Sequence, residues 1–525
     1  MARISMNRRR MYYNDDSGTR LACYGGAFTP RMVTDAVDAV VGTAVTDLVF
    51  CVSYSYWGNY PSRVNPMPGW RDTPSAHSSP HYRRLYEFFR HVREHGWDIP
   101  KMVMDRAAKK GLGFVPSVRM NDAHFTQKVH PTEHPLTGPF WMEHQDLTLG
   151  PGQSGPWGDP QHYLDFAHEA VRQHLLDGAF EAIDRYAVDG FELDWTRHCP
   201  YFRNGCEQPE LLTEMIRRVR QRLDRKDGSS RLPLLVRVGP SIEENAKYGL
   251  DVRTWIAEGL VDVVVPSSPG RFISFGMPID EWVRAAEGTG VEIHPSPDSA
   301  APCGDGQASV AMYRAAAANC YAMGAHGFYV FNLFCRGYPY GDDAYVILRD
   351  VSDVDALSRR DKRFMADGNA WRQGDDGLPV GLGDPQRPAT VALWIGDDLA
   401  GEKERATLDR ATLRLRIDRL APEDRFEIAL NDQILDPRDR RVHMPDYTEL
   451  IAWNASTASW TPERVNLRGP WAWIEIDLKD PLPNQGRNTV TVRSLVPMAD
   501  DRKFQPMLND VELRVSYRPC GTATL

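Results

Sequence analysis

The sequence of 525 residues predicts an α/β chain in two parts: a (β/α)8 barrel (TIM barrel) followed by an all-β sandwich. Up to about residue 335, short apolar runs alternate with longer segments whose apolar residues recur at three- and four-residue spacing. This alternation is typical of βα units and a parallel sheet. Beyond residue 388 the runs are short and alternate polar with apolar residues between turns, which is typical of an antiparallel sandwich.

The first part contains eight strand candidates, at 9–14, 47–54, 112–120, 190–195, 233–238, 261–266, 291–295 and 327–334. The clearest helical patterns lie between them, at 163–186, 208–223, 278–287 and 308–323. Eight strands each followed by a helix predict a closed barrel. The two longest connections, 55–80 and 121–162, are expected on the substrate side, where the βα loops of such barrels build their sites.

The predicted domains are a catalytic barrel at 1–371, a Gly/Pro/Asp-rich linker at 372–388 and an accessory β-sandwich at 389–525. The segment 353–371 is expected to form a helix that closes the barrel. Strand candidates in the sandwich are 389–395, 412–417, 425–430, 472–478, 488–494 and 510–517. Dimerisation through the sandwich stays open at this stage.

The composition of the chain limits which classes of molecule it is expected to bind. A formal net charge of -9 argues against general affinity for nucleic acid, and no apolar run approaches the roughly 20 residues of a membrane helix. The basic start lacks the apolar core of a signal peptide, so we expect a cytoplasmic protein. The eight cysteines include no Cys-x-x-Cys pair, and the histidines of the long loops show no ligand spacing, so neither a metal nor another cofactor is predicted.

The fourth strand carries the strongest chemical signal. It reads Asp-Gly-Phe-Glu-Leu-Asp-Trp, and alternation by two places Glu192 and Asp194 on the same face. Burying unpaired carboxylates costs several kcal/mol, so the pair needs either partners or a purpose. Most glycoside hydrolases use a pair of carboxyl groups to cleave the glycosidic bond.

Other polar and aromatic residues are expected around the same mouth, because the carboxyl ends of barrel strands meet there. The predicted sugar-binding residues are Asn14, Asp16, Tyr56, Trp57, Arg119, Asn121, His124, Trp141, Trp195, Arg237, Glu292, His294 and Asn332. Several have an alternative, purely structural interpretation. Glu192 would then pair with Arg119 or Arg237, Glu292 would be the buried partner of His294, and the aromatics would pack the loops.

These residues resemble a family. Asn14-Asp15-Asp16, Arg119 to Asp122, Tyr186 to Trp195, Gly249 to Val252 and Gly327 to Asn332 resemble bacterial glycosyl-hydrolase-like TIM-barrel proteins with a C-terminal β-sandwich. The fourth strand is also similar to the acidic signature of chitinase-type barrels. However, Thr196 stands where the chitinase acid would be, so that mechanism does not carry over. The resemblance implies a barrel that acts on a carbohydrate.

The sequence therefore predicts a glycoside hydrolase, with Asp194 as nucleophile or general base. Candidates for the second carboxylate are Glu192, Glu243, Glu244, Glu292 and Asp298, with the two adjacent glutamates ranked first among those on other strands. One alternative is a sugar lyase in which His294 or His124 is the base and Arg119 or Arg237 neutralises a uronate. The other is a carbohydrate-binding protein without catalysis.

Overall fold

A computed structural model describes the fold of most of the chain. The described residues are 9–18, 27–71, 80–123, 137–155, 159–203, 208–227, 231–268, 273–297, 302–303, 306–333, 341–369, 374–443, 450–454, 459–463, 471–500 and 502–518.

Eight parallel strands form the first part. They are β1 (Met11–Asp15), β2 (Asp47–Tyr54), β3 (Gly113–Arg119), β4 (Phe191–Asp194), β5 (Leu234–Val238), β6 (Val263–Pro266), β7 (Glu292–Ile293) and β8 (Phe328–Phe331). Each pairs with its neighbour in chain order, and β8 pairs with β1. Two backbone hydrogen bonds join β7 to β8, from His326 to Ile293 and from Tyr329 to Pro295, each 3.0 Å long. The predicted barrel is confirmed.

Helices surround this sheet. They are α1 (Pro30–Asp38), α2 (Pro80–Glu94), α3 (Ile99–Lys110), α4 (Pro139–Glu143), α5 (Glu169–Arg185), α6 (Pro209–Asp227), α7 (Ile242–Lys247), α8 (Val252–Ala257), α9 (Ile279–Ala286), α10 (Val310–Ala322), α11 (Asp342–Asp350) and α12 (Val354–Leu357). The four helices predicted from periodicity correspond to α5, α6, α9 and α10. Helix ends follow local chemistry: Asp98 caps the amide of Lys101 before α3, and Gly111 ends the helix at φ 73°. In the described part of the chain, no helix is both long and apolar enough to cross a bilayer.

The barrel interior is layered. A buried apolar and aromatic layer contains Tyr12, Val49, Val115, Leu235, Val263, Val265, Tyr329 and Phe331. Towards the carboxyl ends of the strands the interior becomes charged, because Arg119, Asp194 and Arg237 stand side by side on β3, β4 and β5. This charged layer is the predicted substrate end of the barrel.

The described residues of the C-terminal part form mostly β-strands, together with the short helix α13 (Leu399–Glu404) and a 3-10 turn at Pro437–Asp439. Its strands are β9 (Lys362–Met365), β10 (Val380–Gly381), β11 (Ala389–Ile395), β12 (Leu408–Asp418), β13 (Phe426–Leu430), β14 (Gln433–Ile434), β15 (Arg440–His443), β16 (Leu450–Asn454), β17 (Ser459–Glu463), β18 (Trp471–Asp477), β19 (Gly486–Ser494) and β20 (Met507–Tyr517). One antiparallel sheet has the order β9-β20-β12-β18-β15, with β10 beside β20. A second has the order β11-β19-β13-β14, and β16 pairs with β17.

The predicted closing helix at 353–371 is wrong. Among residues 353–369, which the structure describes, the four residues of α12 are helical, and β9 follows as a strand that pairs with β20. Phe364 is fully buried in the core, so burial and cross-strand pairing override the local helical pattern. The division of the chain at 371 and 388 stays a prediction.

One buried amide joins the barrel to the C-terminal sheets. The Asn319 side chain on α10 donates to the carbonyls of Phe275 (2.9 Å) and Trp394 (3.0 Å). We expect Asn319→Ala to lower the free energy of unfolding by about 2 kcal/mol, because two carbonyls lose their donor. Urea unfolding measures this. Gln485→Ala is the control, since its bond to the Gly396 carbonyl is exposed, and an equal loss in both variants would contradict the prediction.

Candidate active site

Asp194 ends β4 in a fully hydrogen-bonded, charged setting. Its Oδ1 accepts from the Thr196 amide (2.9 Å) and hydroxyl (2.6 Å). Arg237 Nη1 lies 3.2 Å from Oδ2, and Arg197 Nε lies 3.7 Å from the same oxygen. Burial alone would raise the pKa of Asp194, but the charges of Arg237, Arg197 and Arg119 outweigh it and leave the pKa below its usual value. The group is therefore an anion at neutral pH.

Glu192 lies one pleat deeper on the same face of β4 and is fully buried. Its Oε1 accepts from the Ser117 hydroxyl at 2.7 Å, while Oε2 has no hydrogen bond to the described residues. Burial, with the nearby charge of Asp194, raises the pKa of Glu192 to about 7. The two carboxyls on β4 therefore have different pKa values: Asp194 is ionised, and Glu192 can hold a proton.

A second polar cluster lies beside this pair, between the ends of β1, β3 and β8. Asp16 and Asn332 bond reciprocally: the Asp16 amide donates to Asn332 Oδ1 (2.9 Å), and Asn332 Nδ2 donates to Asp16 Oδ2 (2.7 Å). Arg119 bridges Asp16 (3.3 Å) and Asp122 (2.7 Å). Asn332 has a φ of 51°, in the left-handed region that asparagine tolerates better than most residues. These residues come together as predicted for the mouth.

Two predicted amides have unused acceptors. Asn14 Oδ1 on β1 and Asn121 Oδ1 after β3 are buried and make no hydrogen bond within the described chain. Asn121 Nδ2 donates to the His198 carbonyl at 3.0 Å. Both residues are at most 2% exposed, and since buried polar atoms are normally satisfied, each oxygen needs a partner such as a buried water.

A pocket adjoins Asp194 on the β5 side. Its lining includes Thr196, Arg197 and Arg237, which contact Asp194, together with Glu244 and Tyr248. Glu244 lies in the first turn of α7 and is partly buried. This burial raises the pKa of Glu244, although Lys247 opposes the effect.

The neighbouring Glu243 has a different environment. Its side chain is 83% exposed and pairs with Lys247 at 3.1 Å. It is not among the residues that line the pocket. Of the two adjacent glutamates ranked together from sequence, only Glu244 lines the pocket that Thr196, Arg197 and Arg237 share.

Glu292 and His294 lie at the opposite, amino-terminal end of the barrel. Glu292 is the first residue of β7, and His294 Nε2 lies 2.9 Å from its carboxylate. The hydrogen bond with His294 is the main cause that lowers the pKa of Glu292, and Arg10, which precedes β1, adds to it. The His294 ring packs edge-on against Tyr12, and a Cβ on Gly327, just before β8, would approach it to 2.3 Å. Their predicted place at the mouth is therefore wrong.

The predicted stacking aromatics pack against protein. Tyr56, Trp57 and Trp141 are at most 4% exposed. Trp57 stacks on Tyr54 with ring centroids 3.8 Å apart. Trp195 is 2% exposed, although it borders the pocket beside Asp194. As placed, these rings present no open face for a sugar, so the structural interpretation of them is favoured.

Some predicted residues cannot be placed. His124, Asp298 and the loop histidines His77, His130 and His134 lie outside the described residues. Among the residues that the structure describes, no three His, Cys, Asp or Glu side chains form a group able to hold a metal ion.

Three residues near Asp194 were not selected from sequence. Thr196 and Arg197 lie two and three residues after Asp194, so their position at the end of the fourth strand was an available signal. Tyr329 carries a buried hydroxyl that interacts with Glu192 and opposes the rise in the pKa of that carboxyl, and its signal was alternation along β8. Arg197 also covers the Phe331 ring, with its guanidinium carbon 4.8 Å from the ring centroid.

The chain matches no family model and no curated protein. Structures with partial similarity include a cycloisomaltooligosaccharide glucanotransferase from Paenibacillus sp. (TM-score 0.33, 10% identity, 96% of this chain and 57% of that chain). A second is a maltogenic alpha-amylase from Thermotoga neapolitana, with a TM-score of 0.37 and 8% identity over 94% of this chain and 100% of that chain. A third is the PgaB glycoside hydrolase domain from Bordetella bronchiseptica, with a TM-score of 0.38 and 12% identity over 66% of this chain and 99% of that chain. This chain thus spans less than two thirds of the glucanotransferase. With TM-scores below 0.5, these similarities carry no argument about activity.

Proposed function

We propose that the chain is a glycoside hydrolase whose reacting groups are Asp194 and Glu244. The observation that carries this proposal is an ionised carboxylate next to a pocket that holds a second carboxyl of raised pKa. Carboxyls with pKa values driven apart are what a glycosidase needs, one as anion and one as proton donor.

Asp194 acts as nucleophile or general base. The guanidinium groups of Arg197 and Arg237 keep it deprotonated, and the Thr196 hydroxyl fixes its orientation. Its negative charge stabilises the oxocarbenium character that develops at the anomeric carbon.

Glu244 acts as the general acid. Partial burial in the pocket wall favours its protonated form, which can then donate to the leaving glycosidic oxygen. Glu192 lies too deep for contact with the sugar and acts through its neighbours on β4. It is a positioning residue beneath Asp194.

A polyhydroxylated ligand suits the rest of the mouth. Asp16, Asn332 and Arg119 offer both acceptors and donors within one cluster. Sugar hydroxyls donate and accept at once, so a mixed set of this kind recognises them.

Of the two histidines considered as the base of a sugar lyase, His294 does not suit that role. His294 is fully buried against Tyr12 and is not among the residues that line the pocket next to Asp194. The hydrolase is therefore the better-supported proposal.

Glu244→Gln tests the acid role. We expect kcat to fall by about 10²- to 10⁴-fold on glycosides with poor leaving groups, because no proton reaches the departing oxygen. The loss should shrink for dinitrophenyl glycosides, whose leaving groups need no proton. The alkaline limb of the pH profile, which reports the loss of this proton, should disappear in the variant. Steady-state kinetics across pH measure each effect.

Glu243→Gln is the matched control, since it removes the adjacent but exposed carboxylate. Its kcat should stay within about twofold of wild type, as is usual for surface changes. Equal losses in the two variants, or a Glu244→Gln loss independent of the leaving group, would remove Glu244 from the mechanism.

A further inference from the structure

A basic groove of about 550 Å³ crosses the polar face of the sheet that contains β12 and β20. The opposite face of these strands buries Leu413 and Leu513 in the core. The groove is lined by six cationic side chains, Lys362, Arg363, Arg410, Arg414, Arg441 and Arg514. Two carboxylates, Asp361 and Glu475, share the lining.

Ion pairs with a buried carboxylate fix the orientation of the arginines in this groove. Glu512, with no exposed side-chain area, pairs with Arg363, Arg414 and Arg514. Glu475 accepts from Arg414 Nε at 2.7 Å. Three guanidinium groups converge on one buried carboxylate, so their orientation is set before any ligand arrives.

The open surface of the groove is cationic. Arg441 and Arg514 have side chains 52% and 50% exposed, whereas Glu475 is 28% exposed. Arg410 is exposed and makes no hydrogen bond or ion pair with the described residues. The pKa of Asp477 is lowered mainly by its hydrogen bond with Arg441, and the charge of Arg410 lowers it further by a smaller amount.

Neighbouring carboxylates do not cancel this charge. Within the described part of the chain, ion pairs join these cations to three carboxylates outside the lining, Glu512, Asp397 and Asp477. Lys362 has no exposed side-chain area and pairs with Asp397, which leaves five arginines against Glu512, Asp477, Asp361 and Glu475 among the described residues. A local positive excess stands out in a chain of net charge -9.

We propose that this groove binds an extended acidic glycan through the carboxylates of its uronate residues. Guanidinium groups pair with carboxylates in two-point geometry, and the volume falls within the range of ligand sites. The arginines occur on β9, β20, β12 and β15, and five adjacent strands span about 19 Å. That width suits a chain of repeated charges rather than one small anion. The choice of a glycan over another polyanion rests on the proposed function.

The test is calorimetric titration of the full chain with a hexamer of galacturonate and with its methyl ester. We expect the acid form to bind, and the ester and the double variant Arg410→Gln/Arg514→Gln to show at least tenfold weaker binding. The control Arg438→Gln removes an arginine that is 89% exposed on the same C-terminal part. It should stay within twofold of wild type.

Four results would overturn the proposal: no binding of the hexamer, equal weakening in Arg438→Gln, equally tight binding of single-stranded DNA, or a dimer that the double variant abolishes. The test is independent of turnover. Asp194→Asn should retain the groove binding, so hydrolysis that survives this substitution would remove the proposed catalytic role of Asp194 and leave the groove result intact.

Discussion

Asp194→Asn is expected to lower kcat for glycoside hydrolysis by roughly 10³-fold or more, the order seen when an essential reacting group is removed. The amide keeps the size of the side chain and can still accept from Thr196. It has no negative charge to attack or stabilise the anomeric carbon, so binding should change less than turnover. Kinetics on aryl glycosides, followed as released phenol, measure the effect.

A structural role for Asp194 predicts something different. Removing its charge leaves Arg197 and Arg237 without their shared partner, and the loss of activity would then follow a loss of folding. Asp194→Ala with added azide separates the two roles, because a small anion in the vacated space restores turnover only if the carboxylate reacts directly. The control for a lost ion pair is Asp184→Asn, because Asp184 on α5 pairs with Arg222 on α6 at the exposed surface. This variant should retain full activity. A folded Asp194→Asn variant with normal kcat would exclude Asp194 from catalysis.

Glu192→Gln is expected to change how stability depends on pH. The folded chain raises the pKa of Glu192 to about 7, above its ordinary value of 4.5. The folded state therefore holds the proton more tightly than the unfolded state. The cost of ionising Glu192 is absent below about pH 4.5, grows as the pH rises to about 7 and is complete above that. Its full size is about 3 kcal/mol, at 1.36 kcal/mol per pKa unit.

The glutamine variant does not carry this cost, and it can still accept from the Ser117 hydroxyl. Relative to wild type, its free energy of unfolding should therefore rise by about 3 kcal/mol between pH 4 and pH 8. Urea unfolding of both proteins at several pH values measures the difference. The exposed carboxyl of Glu243 provides the control, and Glu243→Gln should follow the wild-type curve. Parallel curves for wild type and Glu192→Gln would show that Glu192 is ionised in the folded protein.

Much of the barrel could be predicted from local pattern. All eight strand candidates contain observed strands, because apolar runs bounded by turns report burial on both faces of a parallel sheet. Asp194, Arg119, Arg237, Asp16 and Asn332 converge because parallel strands bring their carboxyl ends to one edge.

The failures have a common cause. The seventh strand was predicted at 291–295 with Glu292 and His294 at the mouth, but its pairing continues to Ser296, which bridges to Ser267. The mouth therefore lies beyond His294, which is buried inside the barrel, while Glu292 lies at the amino-terminal end. In the same way, cross-strand pairing with β20 made 362–365 a strand where the sequence pattern favoured a helix.

The sequence by itself determined the order of elements, the two-part architecture and the carboxylate pair on β4, because these depend on periodicity and on residues next to each other in the chain. Only the tertiary structure decided which of Glu243 and Glu244 lines the pocket next to Asp194, that burial raises the pKa of Glu192 to about 7, and that six basic side chains line one groove. These properties depend on burial and on charges brought together from distant segments, and neither is encoded in local spacing.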